Sequence, residues 1–155
     1  SLIPKEAFIS LMNHKAKQWG LINTKFYNAS GLTTVNKSVK KPGAESTARE
    51  ISKLIWHIIA EYPNVLDVTR DPVGTFSSDS DKIVIKNTNK LLESMPIIFG
   101  KTGFTELAGG NLAIVVQKKP TDHAIVIVVM GSTEEGRFSD ASTLYNSLST
   151  MLEKR

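Results

Sequence analysis

Residues 97–131 read IIFGKTGFTELAGGNLAIVVQKKPTDHAIVIVVMG, and this segment is the most informative one about the fold. It contains two runs rich in β-branched residues, 112–117 and 124–130, separated by a short proline-containing segment, 118–122. Two such runs joined by a turn predict an antiparallel β-hairpin. Both runs are almost continuously apolar, which indicates that both faces of the sheet are covered. We therefore expect an antiparallel sheet with further structure on each side.

Two helices are predicted ahead of this sheet. Residues 1–20 repeat apolar side chains at helical spacing, with Pro4 in the first turn and Gly20 as a left-handed cap. The second helix begins with the capping box Thr47-Ala48-Arg49-Glu50 and ends before Pro63. The predicted stripes are Phe8, Leu11, Met12, Ala16 and Trp19 in the first helix, and Ile51, Leu54, Ile55, Ile58 and Ile59 in the second.

The remaining segments complete the predicted architecture. Residues 21–43 and 64–81 are rich in turn formers and are expected to be loops, while residues 97–105 are a candidate third strand. A third helix is expected to be capped by Ser139 or Asp140. Its predicted apolar face is Leu144, Tyr145, Leu148, Met151 and Leu152. This order of elements predicts an α/β fold in which helices cover an antiparallel sheet.

Composition limits the classes of function. The chain has 155 residues, of which 41% are hydrophobic, and this suits a single globular domain. The net charge of +4 comes from 19 basic residues interspersed with 15 acidic ones, so no nucleic-acid partner is expected. The absence of cysteine excludes disulfides, thiolate catalysis and cysteine-based zinc sites.

The tripeptide Lys101-Thr102-Gly103 at the end of the third predicted strand is the main candidate for chemistry. On a strand, the lysine ammonium can steady anionic groups and the threonine hydroxyl can donate a hydrogen bond to a carboxylate. The glycine lets a substrate approach the backbone closely. A tripeptide alone is a weak signal, and an ordinary surface turn is the alternative interpretation.

The tripeptide is one of several blocks that follow one another in a defined order. They are residues 8–13 with Ala16-Lys17 and Gly20-Leu21, 24–32 (TKFYNASGL), 46–50 (STARE), 87–92 (NTNKLL), 100–105 (GKTGFT) with Ala108-Gly109, 129–131 (VMG) and 137–141 (RFSDA). In this order the chain resembles the low-molecular-mass penicillin-binding proteins that act as serine-type D-alanyl-D-alanine carboxypeptidases. The resemblance covers nearly the whole chain. It implies a fold of the β-lactamase and transpeptidase type, present here as a partial domain.

Two motifs that the resemblance implies are missing. The family carries a Ser-x-x-Lys nucleophile motif and a Ser-x-Asn motif, and both would precede the first helix. The only Ser-x-x-Lys here runs from Ser38 to Lys41, and Pro42 disfavours helical geometry at that point, so we expect solvated loop residues. Residues 1–155 are therefore predicted to be the C-terminal part of a D-Ala-D-Ala carboxypeptidase domain without its nucleophile.

The resemblance implies a mechanism divided between this chain and the missing part. A serine outside the chain attacks the carbonyl between the terminal D-alanines of a peptidoglycan pentapeptide, and water hydrolyses the acyl-enzyme. By resemblance Lys101 supplies positive charge and proton transfer, Thr102 binds the terminal carboxylate, and Gly103 admits the substrate. The backbone N–H of Phe104 is an expected oxyanion donor. Arg137 is expected to pair with the same carboxylate, with a solvated arginine before the third helix as the alternative.

The resemblance also implies partners and a location. β-Lactam antibiotics are expected ligands, no cofactor or metal is expected, and the location is the cell envelope, outside the cytoplasmic membrane. In the family a strand from the N-terminal half lies beside the strand at residues 124–130. Without it this strand is an uncharged edge, so we expect either that missing half or self-association. A catalytically inactive relative that binds peptides or β-lactams is the alternative function.

The other polar and aromatic residues are interpreted as structural. No pattern among them matches a metal site or a nucleic-acid surface. These residues are His14, His57 and His123 without ligand spacing, Asp79 and Asp81 in a turn, Trp19 and Trp56 packing between helices, and Lys37, Lys40 and Lys41 in solvent.

Overall fold

The computed structural model describes residues 3–78, 81–119 and 122–153, which form three α-helices and nine strands. In chain order the elements are α1 (Lys5–Gln18), β1 (Lys25–Phe26), β2 (Thr34–Asn36), β3 (Val39–Lys41), β4 (Ala44–Glu45), α2 (Ala48–Glu61), a 3-10 helix (Pro63–Thr69), β5 (Val73–Ser77), β6 (Lys82–Lys86), β7 (Ile97–Thr105), β8 (Gly109–Val116), β9 (Ile125–Ser132) and α3 (Gly136–Glu153).

The central sheet has the order β7-β8-β9, with both neighbouring pairs antiparallel. Lys101 lies opposite Ala113, and Leu112 lies opposite Val129. The predicted hairpin and the candidate third strand are both confirmed. Within the predicted turn at 118–122, residues 120 and 121 lie outside the described residues.

Helices cover both faces of the sheet, as the apolar runs predict. On one face Leu112 and Ile114 pack with Phe138 and Ala141 of α3. On the other face Val115 belongs to a cluster that contains Ile55 of α2. Because alternate residues of a strand point to opposite faces, a central strand buried on both sides must be apolar throughout. This requirement explains the unbroken run of buried residues in β8.

The N-terminus of α2 carries half of the predicted capping box. The Glu50 amide donates to Thr47 Oγ1 over 3.2 Å, as expected. The Glu50 carboxylate does not complete the box. It accepts hydrogen bonds from the Asn23 amide at 3.0 Å and from Thr24 Oγ1 at 2.6 Å. The carboxylate therefore fastens the segment after α1 to the start of α2, a long-range contact that outcompetes the local one.

The first helix is confirmed with a small correction at its start. Pro4 is the residue before the first turn, with extended ψ of 144°. Gly20 has φ of +69°, as a left-handed cap requires. The predicted stripe is only partly buried, because Phe8 and Leu11 are exposed and Ala16 is its buried member. A helix that contacts the rest of the described chain through few elements leaves much of its apolar face accessible.

Two predicted loops contain strands. Residues 21–43 include the hairpin β2–β3, and β1 pairs with β4 just beyond that segment. Residues 64–81 include the 3-10 helix and β5, which pairs with β6 through five residue pairs. Every residue of β6 is exposed, so no alternation of buried and exposed positions marks it in the sequence. These strands are stabilised mainly by their partner strand, and single-strand patterns do not detect that.

The start of the third helix was predicted wrongly. It begins at Gly136, whose amide donates to Thr133 Oγ1 over 2.8 Å, rather than after Ser139 or Asp140. Arg137 consequently lies in the first turn. The buried hydrophobic residues among the described side chains of α3 are Phe138 and Ala141, whereas Leu144 of the predicted face is 46% exposed. The side chain of Leu152 lies outside the description.

The outer edge of β9 has no partner strand among the described residues, as predicted. Val128 and Met130 of this edge line a shallow groove together with Ala48 of α2 and Leu144 of α3. The groove therefore runs along β9 between the two helices. None of the helices in the described ranges is long and apolar enough to cross a bilayer.

Candidate active site

The Lys101-Thr102-Gly103 tripeptide lies on β7, an edge strand of the central sheet. Lys101 and Gly103 are exposed, and Thr102 is half-buried. Phe104, the next residue, is also exposed and lies opposite Gly110. The predicted site is therefore open to a ligand on a regular strand. A surface turn, the alternative interpretation, is wrong.

Strand register places Thr102 on the face of the sheet that α3 covers. Thr102 lies opposite Leu112, and directly opposed residues of an antiparallel pair share a face. Leu112 packs with Phe138 of α3. Lys101 lies opposite Ala113, which belongs to the cluster under α2. The ammonium and the hydroxyl therefore leave the strand on opposite sides.

The Lys101 side chain folds back along its own strand. Its Nζ contacts the carbonyl oxygen of Thr102, and the side chain is exposed. Within the described ranges Lys101 forms no ion pair with a carboxylate. A cation on an exposed edge without a carboxylate partner is suited to attract an anionic ligand.

Arg137 is the most constrained charged group near the strand. It is 6% exposed, so the alternative of a solvated loop arginine is wrong. Its Nη1 donates to the Gly103 carbonyl oxygen over 2.7 Å, and its guanidinium lies 4.8 Å from the Phe138 ring centroid. Its Nε is buried and finds no acceptor among the described residues. A guanidinium carries five N–H donors and a fixed positive charge, and this one lies beside an exposed strand, so it is a candidate for binding an anion.

Gly103 is not required by the packing of the chain itself. Among the described residues, a Cβ placed there would meet nothing nearer than Asn111 Cβ at 3.9 Å, which is an ordinary contact. Gly100, three residues earlier, differs. A Cβ there would lie 2.5 Å from Asn89 Nδ2. The fold thus explains the glycine at 100 but not the one at 103.

Sequence reasoning missed the residues that support Thr102 from the segment before β7. Thr88 Oγ1 lies 2.6 Å from Thr102 Oγ1. Asn87 Nδ2 donates to the carbonyl oxygens of Thr69 and Asp71, both over 3.2 Å. In the sequence, these supporting residues are indicated only by the NTNKLL block, in which a threonine lies between two asparagines.

Ion pairs connect neighbouring segments near the exposed edge of β7. Lys90 Nζ lies 2.7 Å from Glu135, joining the segment before β7 to the start of α3. Lys40 Nζ lies 2.6 Å from Glu106, joining β3 to the β7–β8 turn. Hydrogen bonding and attraction from Lys40 hold the pKa of the Glu106 carboxyl below its usual value. Lys40 is exposed, as predicted for a solvated lysine, and its ion pair with Glu106 is a contact that the sequence did not predict.

The other structural interpretations have mixed outcomes. Ser38 and Lys41 are exposed in the β2–β3 hairpin and not in a helix, as predicted. Trp19 stacks on His57 with ring centroids 4.8 Å apart, which confirms its packing between α1 and α2. Trp56 is 56% exposed, so its predicted packing role is wrong. Asp79 lies outside the described residues.

Most of the chain matches one known protein family. The sequence profile of the D-alanyl-D-alanine carboxypeptidases, peptidase family S11, matches residues 4–134. The chain belongs to the D-alanyl-D-alanine carboxypeptidase family. Arg137 lies beyond the matched residues, so its assignment depends on the geometry described above.

About a third of the aligned residues are identical between this chain and individual members of the D-alanyl-D-alanine carboxypeptidase family. The chain is 36% identical over 152 residues to a D-alanyl-D-alanine endopeptidase of Escherichia coli, covering 94% of the chain and 45% of that protein. It is 36% identical over 143 residues to the D-alanyl-D-alanine carboxypeptidase DacC of Escherichia coli, covering 90% of the chain and 32% of DacC. The chain thus spans less than half the length of these relatives.

A solved structure of the family confirms the fold class. Penicillin-binding protein D2 of Listeria monocytogenes, in its ampicillin-bound form, aligns with a TM-score of 0.75 and 31% sequence identity. The alignment covers 90% of the chain and 54% of that protein. The fold is therefore of the penicillin-binding, transpeptidase-like type, with the chain matching about half of it.

Proposed function

We propose that residues 1–155 form the C-terminal part of a serine-type D-Ala-D-Ala carboxypeptidase domain and supply its carboxylate-binding wall. The observation that carries this proposal is the position of Arg137, a buried guanidinium held 2.7 Å from the backbone of an exposed Lys-Thr-Gly strand. The family match and the partial coverage of its members support the same assignment.

Each residue of the strand has a role in this proposal. Thr102 donates a hydrogen bond to the terminal carboxylate of a peptidoglycan pentapeptide, and Arg137 neutralises its charge. Gly103 lets the peptide lie close to the strand. Lys101 assists proton transfer to the leaving amine. The backbone N–H of Phe104 donates to the oxyanion that forms when the carbonyl is attacked.

The nucleophile belongs to the part of the protein outside these residues. Its serine oxygen forms a bond to the carbonyl carbon between the D-alanines, and the bond to the terminal D-alanine nitrogen breaks as that nitrogen gains a proton. Water then adds to the ester and releases the peptide and the serine. β-Lactams would acylate the same serine, as suggested by the ampicillin-bound structure of the Listeria relative.

The free edge of β9 supports a proposal about how the parts of the domain join. A strand from the rest of the protein would pair with β9 and fill the groove beside Met130 and Leu144. When the chain is isolated, a second copy would occupy the same edge. We also propose a location in the cell envelope, outside the cytoplasmic membrane, because that is where the peptidoglycan substrate lies.

A second candidate reaction comes from the endopeptidase among the relatives at 36% identity. An endopeptidase would cut a cross-linked peptide, whereas a carboxypeptidase releases a terminal D-alanine. The test uses the full-length protein with fluorescent penicillin, a peptide ending in D-Ala-D-Ala, and a cross-linked peptide dimer. Covalent labelling with release of D-alanine supports the proposal. Failure to label and to cleave either peptide in a folded protein contradicts it.

A further inference from the structure

We propose that Thr88 is a positioning residue for the carboxylate site and that it acts through the hydroxyl of Thr102. This inference rests on the proposed function. Thr88 lies between β6 and β7 and is exposed, and its Oγ1 is 2.6 Å from Thr102 Oγ1. The two hydroxyls are therefore hydrogen-bonded across the edge of the sheet, although 13 residues separate them in sequence.

Proton counting fixes the direction of this hydrogen bond when a ligand is bound. Each hydroxyl has one proton, and an ionised carboxylate can only accept. If Thr102 donated to Thr88, its proton would be unavailable for the ligand. Thr102 must therefore donate to the carboxylate, and Thr88 must donate to Thr102. A hydroxyl that accepts one hydrogen bond while donating another is polarised, which strengthens the bond it donates.

Thr88 is held in place from both sides. The side-chain amide of Asn87 is anchored to two backbone carbonyl oxygens, and its Oδ1 accepts from the Asn89 amide over 2.9 Å. Asn89 is buried, and its Oδ1 accepts from the Leu91 amide over 3.2 Å. These contacts fix the backbone around Thr88 before any ligand arrives. A donor fixed in advance loses little conformational entropy when the ligand binds.

The threonine pair and Arg137 converge on one side of β7. Thr102 lies on the face covered by α3, and Arg137 lies in the first turn of α3 with its guanidinium on the Gly103 carbonyl oxygen. A carboxylate has two oxygens and several lone pairs, so it can accept from a hydroxyl and a guanidinium together. Thr88 would control the orientation of the hydroxyl in this arrangement.

The experiment measures KM and kcat for a synthetic peptide ending in D-Ala-D-Ala with the full-length protein. The variants are Thr88→Val, Thr88→Ala, Thr88→Ser, Thr102→Val and the double variant Thr88→Val with Thr102→Val. Thr75→Val is the matched control, because Thr75 is an exposed threonine on β5 that lies outside the proposed site. Thermal unfolding of each variant establishes that it is folded.

We expect Thr88→Val and Thr88→Ala to raise KM about 3- to 10-fold with a smaller change in kcat, as loss of one hydrogen bond implies. Thr88→Ser should retain the wild-type KM, because it keeps the hydroxyl. The double variant should be no worse than Thr102→Val, because Thr88 acts through Thr102.

Two results would overturn the inference while leaving the proposed function intact. One is a normal KM for both Thr88→Val and Thr88→Ala when Thr102→Val is impaired. The other is additive losses in the double variant. If the wild-type protein neither cleaves nor binds the peptide, the proposed function fails and this inference fails with it.

Discussion

Arg137 Nη1 donates a hydrogen bond to the carbonyl oxygen of Gly103 over 2.7 Å, which joins the start of α3 to the exposed edge of the central sheet. The guanidinium is buried, yet its Nε has no acceptor among the described residues. Burial of a charged group costs free energy unless an opposite charge or hydrogen bonds compensate for it. The terminal carboxylate of the proposed substrate would provide an opposite charge.

Replacing Arg137 should therefore weaken substrate binding more than it weakens the fold. For Arg137→Gln in the full-length protein we expect KM for a D-Ala-D-Ala peptide to rise at least tenfold, as loss of a hydrogen bond to a charged group (about 1.5–3 kcal/mol) implies. Arg49→Gln, at an exposed arginine of α2, is the matched control and should leave KM unchanged. A folded Arg137→Gln protein with an unchanged KM would count against the assignment.

Gly103 offers a variant that separates binding from folding. Within the part of the chain that the structure describes, a Cβ at this position meets only Asn111 Cβ at 3.9 Å, so Gly103→Ala should unfold at the wild-type temperature. The methyl group would stand where the peptide approaches, so we expect at least tenfold slower acylation by fluorescent penicillin. Gly110→Ala is the contrasting variant, because its Cβ would lie 2.0 Å from the Thr133 carbonyl oxygen and should lower the unfolding temperature. Normal acylation of Gly103→Ala would show that the strand does not contact the ligand closely.

Strands β8 and β9 and helix α2 were predicted correctly because their burial is regular. Strands β8 and β9 are apolar because both faces of the sheet are covered. Helix α2 has a stripe of apolar residues because one side of the helix packs on the sheet. Strands β5 and β6 have no such signal, since their side chains are mostly exposed. The start of α3 was missed because its cap is Thr133, a turn residue three positions before the helix.

Within the candidate site, sequence identified the strand but not its supports. Lys101-Thr102-Gly103 is a local motif that can be read directly. The contact between Thr88 and Thr102 depends on how the segment before β7 folds back onto that strand. The burial of Arg137 depends on the packing of α3 against the sheet. Such long-range contacts are set by tertiary structure, and a single sequence does not reveal them.

The Glu50 carboxylate predicts a pH dependence of stability. Burial raises the pKa of this carboxyl, but hydrogen bonds from Thr24 and Asn23 outweigh burial and hold the pKa below the ordinary value of 4.5. Because the pKa is lowered in the folded protein, the ionised carboxylate stabilises the folded state when the pH is above the ordinary pKa. This contribution is lost as the pH falls through the lowered pKa.

Glu50→Gln should therefore lower the thermal unfolding midpoint by several degrees at pH 7. The difference from wild type should shrink once the pH falls below 4.5. Glu6→Gln, at an exposed residue in the first turn of α1, is the matched control and should leave the midpoint unchanged at either pH. A Glu50→Gln difference that persists undiminished in acid would contradict this explanation of how the segment after α1 is held.

The edge of β9 has no partner strand in the described part of the chain, which predicts that the 155-residue chain self-associates when it is produced alone. Sedimentation should show a mass that grows with protein concentration. Met130→Lys places a charge on this edge and should reduce association, as lysine does on natural edge strands. Met151→Lys, on the exposed side of α3, is the control and should have no effect. If the chain is monomeric at all concentrations, the prediction that the edge of β9 mediates self-association is wrong.

Recognition of the terminal carboxylate can be measured with two peptides that differ in one group. One ends in D-Ala-D-Ala with a free carboxylate, and the other ends in D-Ala-D-Ala with a terminal amide. If Thr102 and Arg137 bind that carboxylate, the full-length protein should cleave the free acid with a kcat/KM at least tenfold higher. Arg137→Gln should remove most of that preference. Equal cleavage of acid and amide by the wild-type protein would contradict the account.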